Sequence, residues 1–162
     1  MPSRDEKQVG RKELFDGSSG CHLHPPKHPP VSESGGARRV DTDTTAGGDA
    51  GPSARNSQPW HFIVLTDRQL LEQASTVNPY AQMAATAPLA ILVCADTRLE
   101  KSPGYWPVDC AAAVENMLLA AHGLGLGAVW TGVRPRPERI EGFRRLFSLP
   151  ESIIAHSMVV IG

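Results

Sequence analysis

Hydrophobic positions are sparse and unpatterned over residues 1–51, then dense and regular from Pro52 onward. In the first stretch Val9, Leu14, Phe15, Leu23, Val31 and Val40 stand apart, and no helical or strand period outlasts one turn. Pro25, Pro26, Pro29 and Pro30 and the pairs Gly35-Gly36 and Gly47-Gly48 interrupt it further. A segment this poor in apolar residues cannot offset its ordering entropy by burial, so residues 1–51 are expected to be disordered.

From Pro52 the pattern predicts alternating elements. His61-Phe62-Ile63-Val64-Leu65-Thr66 reads as a strand, and Asp67 is placed to cap a helix carrying Leu70, Leu71 and Ala74. The unbroken apolar run Leu89-Ala90-Ile91-Leu92-Val93-Cys94 has the length of a strand buried on both faces. Ala112, Val114, Met117, Leu118 and Ala121 recur at helical spacing over residues 108–122, with Gly123 as the expected stop. Ala128-Val129-Trp130-Thr131 forms the next strand. A helix over residues 137–147 turns Ile140, Phe143, Leu146 and Phe147 inward, and residues 156–161 form the last strand. Strands and helices alternate, so the class is α/β or α+β.

Composition narrows the partners. Sixteen Lys plus Arg stand against 17 Asp plus Glu, a formal net charge of −1, which makes no case for nucleic acid or an anionic membrane as partner. No apolar run approaches the roughly 18 residues of a membrane span, and Met1 to Gly10 lacks a secretory apolar core. Cytoplasmic location is the expectation. Cys21, Cys94 and Cys110 are too few and too scattered for a disulfide framework.

Most candidate chemistry falls away on inspection. Cys21, His22, His24 and His28 fit no closed zinc spacing, so no metal site is expected. Gly123-Leu124-Gly125-Leu126-Gly127 follows a helix and precedes a strand, the reverse of a dinucleotide fingerprint. Cys94 and Cys110 read as small core residues, and His61, His122 and His156 as structural histidines at element ends. Glu115 and Asn116 are either a solvated face or a polar contact at a helix–helix interface. No nucleophile or general base is expected. The dense signal is Pro52-Ser53-Ala54-Arg55-Asn56-Ser57-Gln58-Pro59-Trp60, a polar loop between prolines that offers several hydrogen-bonding groups.

That loop resembles, residue by residue, the corresponding loop of the FMN-dependent nitroreductases. Further matches follow in order: Ala87-Pro88-Leu89, the helix from Asp109 to Asn116, the run from Gly123 to Gly132, Leu149-Pro150-Glu151 and Ile161-Gly162. The resemblance covers residues 52–162. It implies an α+β fold, a nitroreductase-like mixed sheet flanked by helices and incomplete at both ends. It also implies a homodimer with FMN at its interface. Pro52, Ser53, Ala54 and Asn56 would line the flavin, and Trp130, Thr131 and Gly132 would run their backbone past its ring. NAD(P)H would be the co-substrate and a nitroaromatic, quinone or related electrophile the acceptor, with the cofactor supplying the chemistry. Tyr105, Trp106 and Arg55 are candidates for the acceptor side.

The resemblance also implies an arginine-rich motif, Arg-Arg-Ser-Ile-Arg, to clamp the FMN phosphate, and a further tail. Neither stands in this sequence. The genetic code offers an explanation for the first. Pro25 to Val31 can be encoded so that reading one base later gives Arg-Arg-Ser-Ile-Arg-Arg-Phe. The same shift over Thr44 to Gly51 permits Leu-Leu-Arg-Ala-Ala-Met-Arg-Ala, a good helix. Part of the segment before Pro52 is therefore expected to be an out-of-frame translation. Two other functional classes stand beside the flavoenzyme: a truncated, non-enzymatic remnant without flavin, and a thiol redox protein using Cys94 or Cys110.

Overall fold

The computed structural model describes residues 14–16 and 36–162; side-chain surroundings are described from Asp43 onward. The elements run β1 (Leu14–Asp16), α1 (Gly36–Asp49), β2 (Trp60–Leu65), α2 (Arg68–Val77), β3 (Leu89–Asp96), α3 (Trp106–Gly123), β4 (Ala128–Gly132), α4 (Pro137–Phe147) and β5 (Ile153–Ile161). Short 3₁₀ turns occupy Ala54–Asn56 and Gln82–Ala85. The strands form one sheet in the order β1-β2-β3-β5-β4. The α+β class holds. Every described pairing is antiparallel, however, so the sheet is not the mixed one expected.

Strand periodicity divides the core. Ile63, Leu65, Leu92, Cys94, Met158 and Val160 pack on one face with Leu71 of α2 and Phe143 and Phe147 of α4. Phe62, Val64, Ile91, Val93 and Val159 pack on the other with Cys110, Ala113, Val114 and Met117 of α3. Neighbours along one strand point to opposite faces, so a strand covered on both reads as a continuous apolar run. Asp67 caps α2 as expected, its Oδ1 accepting from the Leu70 N–H at 3.0 Å.

The helix stop differs from the expectation. Gly123 remains within α3, and the left-handed residue is Gly125, at φ 76°. Gly127 is the close-approach glycine: a Cβ there would meet the Gly162 carbonyl oxygen at 2.9 Å.

The larger correction concerns residues 36–51, which were expected to lack order. Here α1 lies against α3, so close that a Cβ on Gly47 would stand 2.7 Å from the Ala120 Cβ. The small residues of α3 admit this approach, and packing overrides a poor local propensity. The end of α1 is tied to the sheet by the Trp60 indole N–H, which donates to Asp49 Oδ1 at 3.0 Å. Asn116 is half-buried and Glu115 exposed. The Asn116 main-chain oxygen lies beneath α1, 3.2 Å from where a Gly47 Cβ would stand. The Cys21, His22, His24 and His28 cluster and the codons assigned to an arginine motif lie outside the described residues.

Candidate functional site

The loop before β2 is held by its own side chains and by α3. Ser53 Oγ accepts from the Gln58 N–H at 2.9 Å, closing the loop on itself. Asp109, in the first turn of α3, accepts from the Ala54 N–H at 2.8 Å through Oδ1 and from Ser57 Oγ at 3.3 Å through Oδ2. Its carboxylate is buried and lies at the positive end of the helix dipole. Lys101 Nζ donates to the Asn56 carbonyl at 2.9 Å.

This bracing holds an unusual backbone. Arg55, Asn56 and Gln58 all have positive φ, at 54°, 50° and 44°. Non-glycine residues in that region cost on the order of 1 kcal/mol each and persist where surrounding structure over-determines them. The Arg55 and Asn56 side chains are exposed.

The strand that carries the second half of the expected site approaches the start of α3 through His156. Thr131 is buried and donates its hydroxyl to the Met158 carbonyl at 2.9 Å, so only its backbone is available to a ligand. The Gly132 carbonyl accepts from Asn78 Nδ2 at 3.2 Å and Arg139 Nη1 at 2.7 Å. Trp130 is 38% exposed, and its ring lies 6.1 Å from that of His156. The His156 ring lies 6.1 Å, edge-on, from Trp106 at the start of α3. The Arg134 guanidinium stands 5.0 Å over the Trp106 ring. Glu100 Oε1 accepts from the Trp106 N–H at 3.0 Å, anchoring the helix start.

The nitroreductase family model matches residues 68–162. The chain belongs to the nitroreductase family. A protein of Methanothermobacter thermautotrophicus, provisionally named an NADH dehydrogenase/NAD(P)H nitroreductase, is 56% identical over 112 residues, 69% of this chain and 59% of its own length. The chain thus spans about three fifths of that curated relative. Among solved structures, a provisional NADH oxidase of Clostridium acetobutylicum superposes with a TM-score of 0.76 at 38% identity, covering 84% of this chain and 79% of the other. A provisional nitroreductase of Desulfovibrio desulfuricans, solved in complex with FMN, gives a TM-score of 0.68 at 28% identity over 84% of this chain and 76% of its own.

In this nitroreductase-family chain the two expected segments are not joined to each other by any described hydrogen bond; Asp109 joins the loop to the first turn of α3, and the His156 ring stands between Trp130 and Trp106 at the start of that helix. Pro52 and Asn56 are exposed, and Ser53, Ala54 and Gly132 half-buried. Sequence reasoning missed the residues that connect them. Asp109 and Glu100 are ordinary acids in a one-dimensional reading, and His156 an ordinary strand-end histidine. The available signal was Asp109 in the first turn of a mostly apolar helix.

Cys94 and Cys110 are buried. Burial pushes the Cys94 thiol up to about 12, and burial with the nearby Cys94 and Asp109 pushes Cys110 up as well. Cys110 Sγ donates to the Cys94 carbonyl at 4.0 Å, so both thiols are packed rather than presented. Among the described residues no group of three or more His, Cys, Asp or Glu could hold a metal ion, and no helix is long and apolar enough to cross a membrane.

Proposed function

We propose that this chain is the flavin-binding part of a cytoplasmic, homodimeric NAD(P)H-dependent oxidoreductase that holds FMN through Pro52, Ser53, Ala54, Asn56, Trp130, Thr131 and Gly132. The observation that carries the reading is the strained loop from Pro52 to Gln58, pinned by Asp109. Evolution of a left-handed backbone at consecutive non-glycine positions is hard to explain by folding alone, because a plain turn avoids that cost.

The donor set suits a flavin. The Ser53 oxygen accepts from Gln58, which leaves its proton to donate outward. The Asn56 amide is exposed and offers both a donor and an acceptor to a heteroaromatic edge. Thr131 and Gly132 supply rigid main chain, and Trp130 an apolar wall. The chemistry that FMN supplies when bound is passage of hydride from NAD(P)H to a nitroaromatic, quinone or related electrophile. The chain's own residues bind, orient and exclude water. A flavin titration followed by absorbance tests the reading: weak but saturable FMN binding is expected of a chain without the arginine motif, and a chain that stays colourless at every flavin concentration overturns it in favour of a non-enzymatic remnant.

We also infer that part of the segment before Pro52 is translated out of frame. What supports this is the burial along α1 and the residues that follow it. Thr44, Thr45, Gly48 and Gly51 are buried while Ala46 is exposed. The reading one base later permits Leu, Leu, Ala and Ala at those buried positions and Arg at 46. In the sequence as it stands, Thr44 buries a hydroxyl that has no partner among the described residues. That hydroxyl is a local conflict of the kind natural sequences avoid, whereas Gly47 and Gly48 suit the packing as they stand, since a Cβ there would meet Ala120 at 2.7 Å and Met117 at 2.5 Å. The gene settles it. If the codons for residues 25–31 and 44–51 do not give an arginine-rich motif and an apolar helix one base on, the inference fails. If they do, the corrected chain is expected to bind FMN more tightly than this one.

A further inference from the structure

His156 has no partner in the β3–β5 register. Val93 faces Ser157 and Cys94 faces Ala155, so His156 is the extra residue of a β-bulge. Bulges re-aim a side chain, and this one aims an imidazole between two indoles. The ring contacts are those already given, to Trp106 at an interplanar angle of 76° and to Trp130 at 41°. The ring is also locked against rotation, since its Nδ1 lies 3.0 Å from Ser157 Oγ. The main-chain oxygen of the same residue accepts from the Val133 and Arg134 N–H groups, at 3.2 Å and 2.9 Å. One residue therefore meets the start of α3, the end of β4 and the turn beyond it.

His156 is buried, with 8% of the residue accessible. Trp130 by contrast is a half-open indole on the sheet-edge strand β4, where an unsupported large side chain samples several rotamers. Restraining it requires a partner fixed on a neighbouring strand, and His156 is that partner.

We propose that His156 is a positioning residue: it holds the Trp130 and Trp106 indoles in one arrangement and so shapes the wall of the flavin site. The inference rests on the flavin reading above. The His156 ring acts through the two indoles and the main-chain oxygen through the turn at Val133 and Arg134.

The test compares the wild-type chain with His156→Ala and His156→Phe, by near-ultraviolet circular dichroism without flavin and by FMN titration. In His156→Ala the share of the indole signal given by Trp106 and Trp130 is expected to be lost, with that of the buried Trp60 and the far-ultraviolet dichroism kept. FMN affinity should then fall about tenfold, the equivalent of one or two aromatic ring contacts. His156→Phe keeps a ring in place and is expected to restore the indole signal and to bring the affinity back to within about threefold of wild type. Should His156→Ala fail to fold, His156→Asn makes the same comparison. Wild-type dichroism and wild-type affinity in the ring-free variant overturn the proposal, as does a loss that tracks global unfolding and that Phe does not repair. A wild-type chain that binds no FMN sinks the flavin reading alone, because the dichroism comparison still decides whether His156 holds the indoles.

Discussion

The Asp109 carboxylate accepts the Ala54 main-chain N–H at 2.8 Å, joining residues 55 apart in sequence. This contact turns a strained polar loop into a fixed one, and fixes it on the helix that also carries Trp106. The same carboxylate holds Ser57 through its second oxygen, so a single side chain accounts for both internal ends of the loop's 3₁₀ turn.

Asp109→Ala is accordingly expected to destabilise the fold by about 2 kcal/mol, because it strands a partly buried N–H and a buried hydroxyl. FMN affinity should fall with it by an order of magnitude or more. Asp109→Asn keeps an oxygen for Ala54 and an amide for Ser57, and should cost less in both. Denaturant melts and flavin titrations on the pair check this; equal losses in the two variants would assign the effect to charge rather than to the hydrogen bonds.

Thr44→Val should stabilise the chain. The Thr44 side chain is buried and its hydroxyl has no partner among the described residues, so a near-isosteric methyl removes an unmet polar group with little change in volume. The gain is expected to be about 1 kcal/mol, read as a higher melting temperature. A melting temperature that falls would mean that the hydroxyl is satisfied in solution.

Stability is expected to fall on mild acidification. Burial pushes His156 down to about 4, with the Arg134 charge adding to the depression and a hydrogen bond to the Pro107 main chain opposing it. Between that value and the ordinary histidine value the unfolded chain binds more protons than the folded one, so stability rises with pH across this window. The contribution is fully present above the ordinary value and is lost as pH drops toward 4, a swing on the order of 3 kcal/mol. Melts from pH 7 to pH 4 should show it, and His156→Phe should flatten the slope.

Cys94 and Cys110 should resist alkylation in the folded chain and react once it is unfolded, since both thiols are buried and their pKa values are raised. Peptide mapping after brief treatment with a thiol reagent checks this. Rapid labelling of either in native protein would reopen a thiol-based role.

The elements from β2 onward were legible because each has one strong local signal. The apolar run through β3 and the helical spacing of Phe143 and Phe147 each report burial directly. The β5 strand was seen short, from His156 instead of Ile153, because the residues before it carry no alternation that periodicity can use. The α1 helix was not legible at all, since glycine and threonine are poor helix formers, and only the close approach of Gly47 to Ala120 shows why glycine stands there.

The sequence by itself determined the alternating order of strands and helices, the two-faced burial of β3 and the loop that resembles a flavin-binding segment. Each depends on residues close together in the chain, where periodicity and composition act. Tertiary structure alone decided that Asp109 grips Ala54 and that His156 stands between Trp106 and Trp130. It also decided that a poorly suited segment folds against α3. Those are contacts between distant residues, and their energy comes from geometry that only the packed sheet and helices create.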